Sequence, residues 1–230
     1  MKKTALISLM LASGLLGAAS SASAMTVADF GKFTVTYDET TVFGGISFSF
    51  GSGDQVGFGW SIPSSVSVSN TDVGSVTTNS FDLPDFTVTA DPGWVLSGAI
   101  GGFMGNLVYA HVGSATSSAN VGGMVSIDGL GPVSAGGSLS RTATLSIPGL
   151  ETGYYSVEGS APYGTFSTFS FSSGVLALSA SGGTAAITGQ PQNEFKFYFD
   201  ATPVPEPETY AMMLAGLGLI GFIAARRRNA

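Results

Sequence analysis

The sequence contains no cysteine. That excludes disulfide bonds, thiol catalysis and cysteine-based metal sites throughout the chain. Histidine occurs once, at His111, so imidazole chemistry has a single candidate. Cations are scarce as well. Of eight Lys and Arg, only Lys32, Arg141 and Lys196 fall between residues 25 and 202, against thirteen Asp and Glu from Asp29 to Asp200. A body this acidic lacks the positive surface that nucleic acid requires, so no nucleic-acid partner is expected. Its charge suits solubility outside the cell. Good helix formers such as Glu, Lys and Gln are few between the two ends, which argues against a helical body.

What is abundant is Gly, Ser and Thr, arranged with apolar residues at period two. Phe33, Val35 and Tyr37 alternate with threonines, and Phe195, Phe197 and Phe199 with Lys196, Tyr198 and Asp200. Ile46, Phe48 and Phe50 lead through Gly51-Ser52-Gly53-Asp54 into Val56, Phe58 and Trp60, with Gly57 and Gly59 on the other face. That is the strongest hairpin signal in the chain. Asp91-Pro92-Gly93 supplies a turn, because Pro presets φ and Gly accepts a positive one. Asn106 to Val112, apolar on both faces, reads as a central strand, and Ser114 to Asn120 as a loop or sheet edge. A Gly-rich loop is expected between strands at Gly122 to Ile127 and Leu139 to Ile147. A pair of strands is expected to meet across Ser173-Gly174. The fold class is all-β: a β-sandwich or jelly roll of about a dozen short strands in one domain over residues 25–200.

Both ends carry targeting segments. In residues 1–24, Lys2 and Lys3 precede an apolar run from Ala5 to Ala19, and Ala22-Ser23-Ala24 gives the small-x-small cleavage pattern of a signal peptide. Cleavage after Ala24 leaves Met25 as the mature N-terminus. Signal peptidase and the secretion machinery are the partners this implies. At the other end, residues 201–208 form a Pro-rich linker, residues 209–225 an apolar helix that reads as membrane-spanning, and residues 226–230 a basic cytoplasmic tail. The charge-free stretch from Tyr210 to Ala225 reaches about 24 Å as a helix, against a hydrocarbon core of roughly 30 Å. Arg226, Arg227 and Arg228 stop it on the cytoplasmic side. Pro203, Pro205 and Pro207 hold the residues around them extended, the form in which proteases read peptides.

Val204-Pro205-Glu206-Pro207, a following apolar helix and a terminal arginine cluster together resemble the PEP-CTERM sorting signal. The resemblance covers about the last 27 residues and none of the body. It implies recognition by exosortase, a membrane-embedded processing enzyme of Gram-negative bacteria, and cutting near Pro205-Glu206-Pro207. It further implies a stage in the inner membrane before processing, then delivery to the cell surface or extracellular matrix in systems associated with exopolysaccharide and biofilm.

Candidates for chemistry in the body are sparse. His111 shares strand parity with Leu107 and Tyr109. It could serve a Ser-His-Asp triad, but no Gly-x-Ser-x-Gly elbow accompanies it. Glu39, Glu151, Glu158 and Glu194 are the body glutamates a glycosidase pair would draw on. Calcium, which takes oxygen ligands only, is the one metal considered, with Asp54, Asp82 and Asp85 as candidate ligands and no EF-hand spacing among them. Trp60 shares parity with Val56 and Phe58 and is expected in the core. Trp94 and Tyr163, beside turns, are the surface aromatics that could stack on sugar. The expectation is a non-enzymatic structural or adhesive domain without a required cofactor. The alternative is a secreted carbohydrate-active enzyme, or a calcium-dependent carbohydrate-binding module, carrying the same tail.

Overall fold

The computed structural model describes residues 25–142, 150–190, 192, 194–205 and 207–228. Its elements are β1 (Met25–Asp29), β2 (Phe33–Asp38), β3 (Phe48–Ser52), β4 (Gln55–Ser61), β5 (Ser67–Asn70), β6 (Val76–Asp82), β7 (Phe86–Ala90), β8 (Trp94–Val112), β9 (Thr116–Ile127), β10 (Val133–Thr142), β11 (Leu150–Phe166), β12 (Thr168–Ser181), β13 (Ala185–Thr188), β14 (Glu194–Pro203) and the helix α1 (Pro207–Arg228). The signal-peptide reading, with Ala22 and Ala24, lies outside the described residues.

The strands form two seven-stranded antiparallel sheets. In the first, β12 is the spine: β9 and then β10 lie on one flank, while β6 and β7 share the other, with β2 and β1 beyond β7. In the second, β8 is the spine. β11 runs along one flank, and β14 and β13 share the other, continued by β4 and β3 and by β5. The faces that meet are the period-two apolar positions: Phe33, Phe86, Phe169 and Phe171 from the first sheet against Phe58, Trp60, Phe195 and Phe197 from the second. Phe86 and Phe197 touch edge-on at 4.7 Å between ring centroids across the interface. This is sandwich packing, with a buried aromatic layer between two pleated sheets.

Four strands are longer than the short segments the sequence suggests. The stretch Gly98–Gly105, which the sequence leaves unassigned, is strand, and Gly136–Gly137 is strand rather than loop. In β10, Gly136 lies so close to β9 that a Cβ would come within 2.4 Å of the Val121 carbonyl oxygen, so only glycine fits. Ser114 to Asn120 does not form an edge either. From Thr116 it enters β9, which pairs with β10 on one side and β12 on the other. The pair expected across Ser173-Gly174 is one strand, β12, both halves of which pair with β9. Ser173, at φ 52°, makes a bulge there, not a hairpin turn. Asn106, at φ 61°, plays the same part in β8 where its pairing with β11 shifts. The β3–β4 hairpin forms with Ser52 opposite Gln55, and the Asp91 turn closes with Trp94 N–H donating to the Asp91 carbonyl at 3.0 Å. Pro162 is accommodated in β11 because that strand is an edge, bonded only to β8.

The body continues past the boundary expected at Asp200. Ala201, Thr202 and Pro203 pair with Leu96, Val95 and Trp94, and Ala201 is fully buried. The linker therefore begins at Val204. The helix begins at Pro207, where a fixed φ and a missing N–H suit the first helical position, and it carries on through the arginines. No helix among the described residues is long and apolar enough to cross a membrane.

Candidate functional site

The C-terminal exit is built by β14. Val204 N–H donates to the Gly93 carbonyl at 2.9 Å, the last backbone bond between tail and body among the described residues. Pro205 follows, and Pro207 opens α1. Val204 is 45% exposed, so the chain leaves the end of the sheet at a solvent-facing position. Beyond it, Tyr210, Met212, Leu214, Leu217, Ile220 and Phe222 are all exposed on α1. The helix is apolar around its circumference, as expected of one made for lipid or for a protein groove. Arg226 and Arg227 are exposed at its end. Glu206 lies outside the described residues.

His111 is fully buried between the sheets. Its Nε2 lies 2.5 Å from Ser117 Oγ, which lies 2.6 Å from the Tyr155 hydroxyl, which donates to the Ser117 carbonyl at 2.6 Å. The three side chains thus form one buried hydrogen-bonded chain, in which Ser117 bridges the imidazole and the phenol. Nδ1 of His111 is buried without a hydrogen-bond partner.

Burial lowers the His111 pKa from 6.5, and the nearby Glu151 carboxylate only partly opposes it. The unfolded chain thus binds the proton more readily than the folded one. Stability is complete above the ordinary histidine value and falls as pH drops below it. The loss is up to about 1.4 kcal/mol per pH unit until the folded-state pKa is reached. Urea unfolding at pH 7.5 and at 5.5 should show this slope, and His111→Gln, which keeps a polar partner for Ser117, should remove most of it.

The other candidates disperse. Asp82 and Asp85 line an open groove with Asp38, whereas Asp54 sits in the β3–β4 turn. Asp85 accepts from Ser173 N–H at 2.8 Å, and Asp38 from the Thr40 N–H and hydroxyl, so both carboxylates serve turns. Among the described residues no three His, Asp or Glu are grouped to hold a metal ion. Trp60 is buried as its parity implies. Trp94 is half-buried with Lys32 Nζ 4.9 Å above its ring. Tyr163 lines an apolar cleft of about 400 Å³ between β10 and β11, over Phe171 and Met104. Glu194 pairs with Lys196 at 2.8 Å. Glu158 accepts a 2.6 Å hydrogen bond from the Tyr198 hydroxyl, and this bond pushes the tyrosine pKa up to about 12. Sequence reasoning missed this Tyr198–Glu158 pair, because it depends on the register of β14, β8 and β11 and on no local motif.

No curated protein matches the chain. Among solved structures it aligns with the enzymatically active domain of bacteriophage CBA120 tailspike protein 4, at 18% identity and a TM-score of 0.21, over 75% of this chain and 18% of that one. It also aligns with TmCBM61 in complex with β-1,4-galactotriose, at 13% identity and a TM-score of 0.14, over 63% of this chain and 91% of that one. At these scores neither likeness carries an argument about this protein. The tail is different. Residues 203–228, which run from the last residue of β14 through the whole of α1, match the PEP-CTERM protein-sorting motif, the signal of an exported protein that exosortase processes and sorts to the cell surface.

Proposed function

We propose that the β-sandwich is a non-enzymatic structural or adhesive module of the cell surface or its exopolysaccharide matrix, and that its tail is a temporary membrane hold. The helix inserts in the inner membrane with Arg226 to Arg228 on the cytoplasmic face. Its apolar reach of about 24 Å falls short of the bilayer core, and local thinning and snorkelling arginines make up the difference. Exosortase then cuts within Val204 to Pro207 and frees the body. The observation that carries this reading is the construction of the exit: β14 is paired through Pro203, Val204 N–H donates to the Gly93 carbonyl, and Val204 and Pro205 are exposed. The cut therefore removes the tail without unpicking a strand.

Mass spectrometry of the protein from cells with and without exosortase tests the pathway. With the enzyme, extracellular protein should end near Val204 to Pro207. Without it, the chain should stay with the membrane fraction and keep Arg228. Shedding of full-length protein from both strains would overturn the proposal.

A further inference from the structure

The outer face of the second sheet carries aromatic rings that the sorting signal does not use. Register places Phe50, Gly57, Tyr198, Gly101 and Ser160 in one row across β3, β4, β14, β8 and β11. Phe48, Gly59, Lys196, Phe103 and Glu158 form the next row. These rings do not stand up from the sheet. A Cβ on Gly57 would fall 2.3 Å from the Phe50 ring, one on Gly101 2.0 Å from the Tyr198 ring, and one on Gly105 1.9 Å from the Phe103 ring. Each ring reclines across a glycine, which is buried beneath it although it faces solvent. Tyr198 is pinned in that posture, because its hydroxyl reaches over β8 to Glu158 on β11. Lys196 Nζ lies 4.8 Å from the Phe103 ring centroid and 5.7 Å from that of Phe50.

We propose that this face binds an uncharged, extended, β-linked polysaccharide, with pyranose rings stacked on Phe50 and Tyr198. The proposal rests on the reading of the body as an adhesive matrix module and names its partner. Three features select this occupant. The rings cross the sheet surface over glycines instead of packing into the core, and the axial C–H faces of an equatorially substituted sugar present partial positive charge to aromatic rings. The Phe50 ring covers β4 and the Tyr198 ring covers β8, two strands apart at roughly 9–10 Å, a length comparable to the disaccharide unit of an extended chain. Charge decides between polymers. Glu158, Glu194 and Asp200 lie on the same face and offer acceptors to sugar hydroxyls, while Lys196 is already paired with Glu194. With thirteen acidic and three basic residues in the body, an anionic polymer is repelled.

The test is sedimentation of the full-length protein, in non-ionic detergent, with insoluble cellulose, with insoluble chitin and with alginate beads. Retention on cellulose or chitin and not on alginate is expected. Phe50→Ala and Tyr198→Ala should each weaken it about tenfold, while the melting curve of Phe50→Ala, on an edge strand, stays near wild type. If Tyr198→Ala does not fold, Phe50→Ala and Tyr198→Phe, the latter with an unpinned ring, carry the test. Absence of retention on both neutral polymers, equal retention on alginate, or retention indifferent to Phe50 would overturn it. So would a wild-type dimer in sedimentation velocity that Phe50→Ala dissolves without any glycan binding, since the face would then belong to a second copy. Binding is measured on isolated protein, so its failure leaves exosortase processing standing, and an unprocessed tail leaves the binding result valid.

Discussion

Replacing Pro205, Glu206 and Pro207 together by alanine is expected to stop processing, so that cells accumulate the full-length chain. Two physical effects act in the same direction. The prolines fix their own φ and keep Val204 and Glu206 out of the helical region. Alanine is the strongest helix former, so the triple variant lets α1 propagate back from residue 207 toward the end of β14. The extended peptide that a protease must grip is then replaced by helix. The variant also removes the ring and carboxylate contacts a recognition site would be built around, and sites of that kind reject substrates lacking them by ~100-fold or more. Intact-mass measurement of membrane and extracellular fractions reads the outcome. The body should be untouched, since these residues lie beyond the last sheet hydrogen bond at Val204, and thermal melting of the variant should match wild type. Normal release of a trimmed protein from the triple variant would show that the signal lies elsewhere in the tail.

The tail was legible in the sequence because its information is linear: prolines, an apolar run and arginines act in order, with no partner from the rest of the chain. Much of the sandwich was legible for a similar reason. Strands such as β4 and β14 alternate apolar and polar residues without interruption, and the β3–β4 and Asp91 turns are set by their own glycines and proline. What the sequence concealed depends on neighbours. Gly98 to Gly105 gives no strand signal because glycine contributes no side chain to a sheet face. In the fold, the Tyr198 and Phe103 rings supply the missing cover at Gly101 and Gly105. Ser114 to Asn120 reads as a loop or sheet edge because it is small and polar. In the fold, Ser117 is buried within hydrogen-bonding distance of His111 and Tyr155. The bulges at Asn106 and Ser173 let β8 and β12 run on where a simple alternation would have placed a break. The outer aromatic face needs the register of five strands at once, which no window of sequence contains.

Phe86→Ala is expected to be the most destabilising single change in the body. Phe86 is 2% exposed and touches rings of both sheets. Its neighbours are Phe58 at 5.3 Å and Trp60 at 5.5 Å from β4, Phe197 at 4.7 Å from β14, and Phe169 and Phe171 at 5.7 and 5.6 Å from β12. Removing the ring leaves a cavity bounded by five other aromatic side chains, held on three paired strands, so the site cannot collapse to fill it. A buried Phe→Ala change of this kind costs about 3–5 kcal/mol. For a body of this length that corresponds to a melting point lower by roughly 10 °C. Phe50→Ala is the control. It deletes an equally large ring, but from the outer face, where the side chain is 37% exposed and an edge strand can adjust. Its cost should be about 1 kcal/mol. Urea titration separates the two: Phe86→Ala should move the midpoint far more than Phe50→Ala with similar slopes, because both unfold the same surface. Equal losses would mean that the outer rings hold the second sheet together as firmly as the core does. The glycines beneath them would then be structural positions first and ligand positions second.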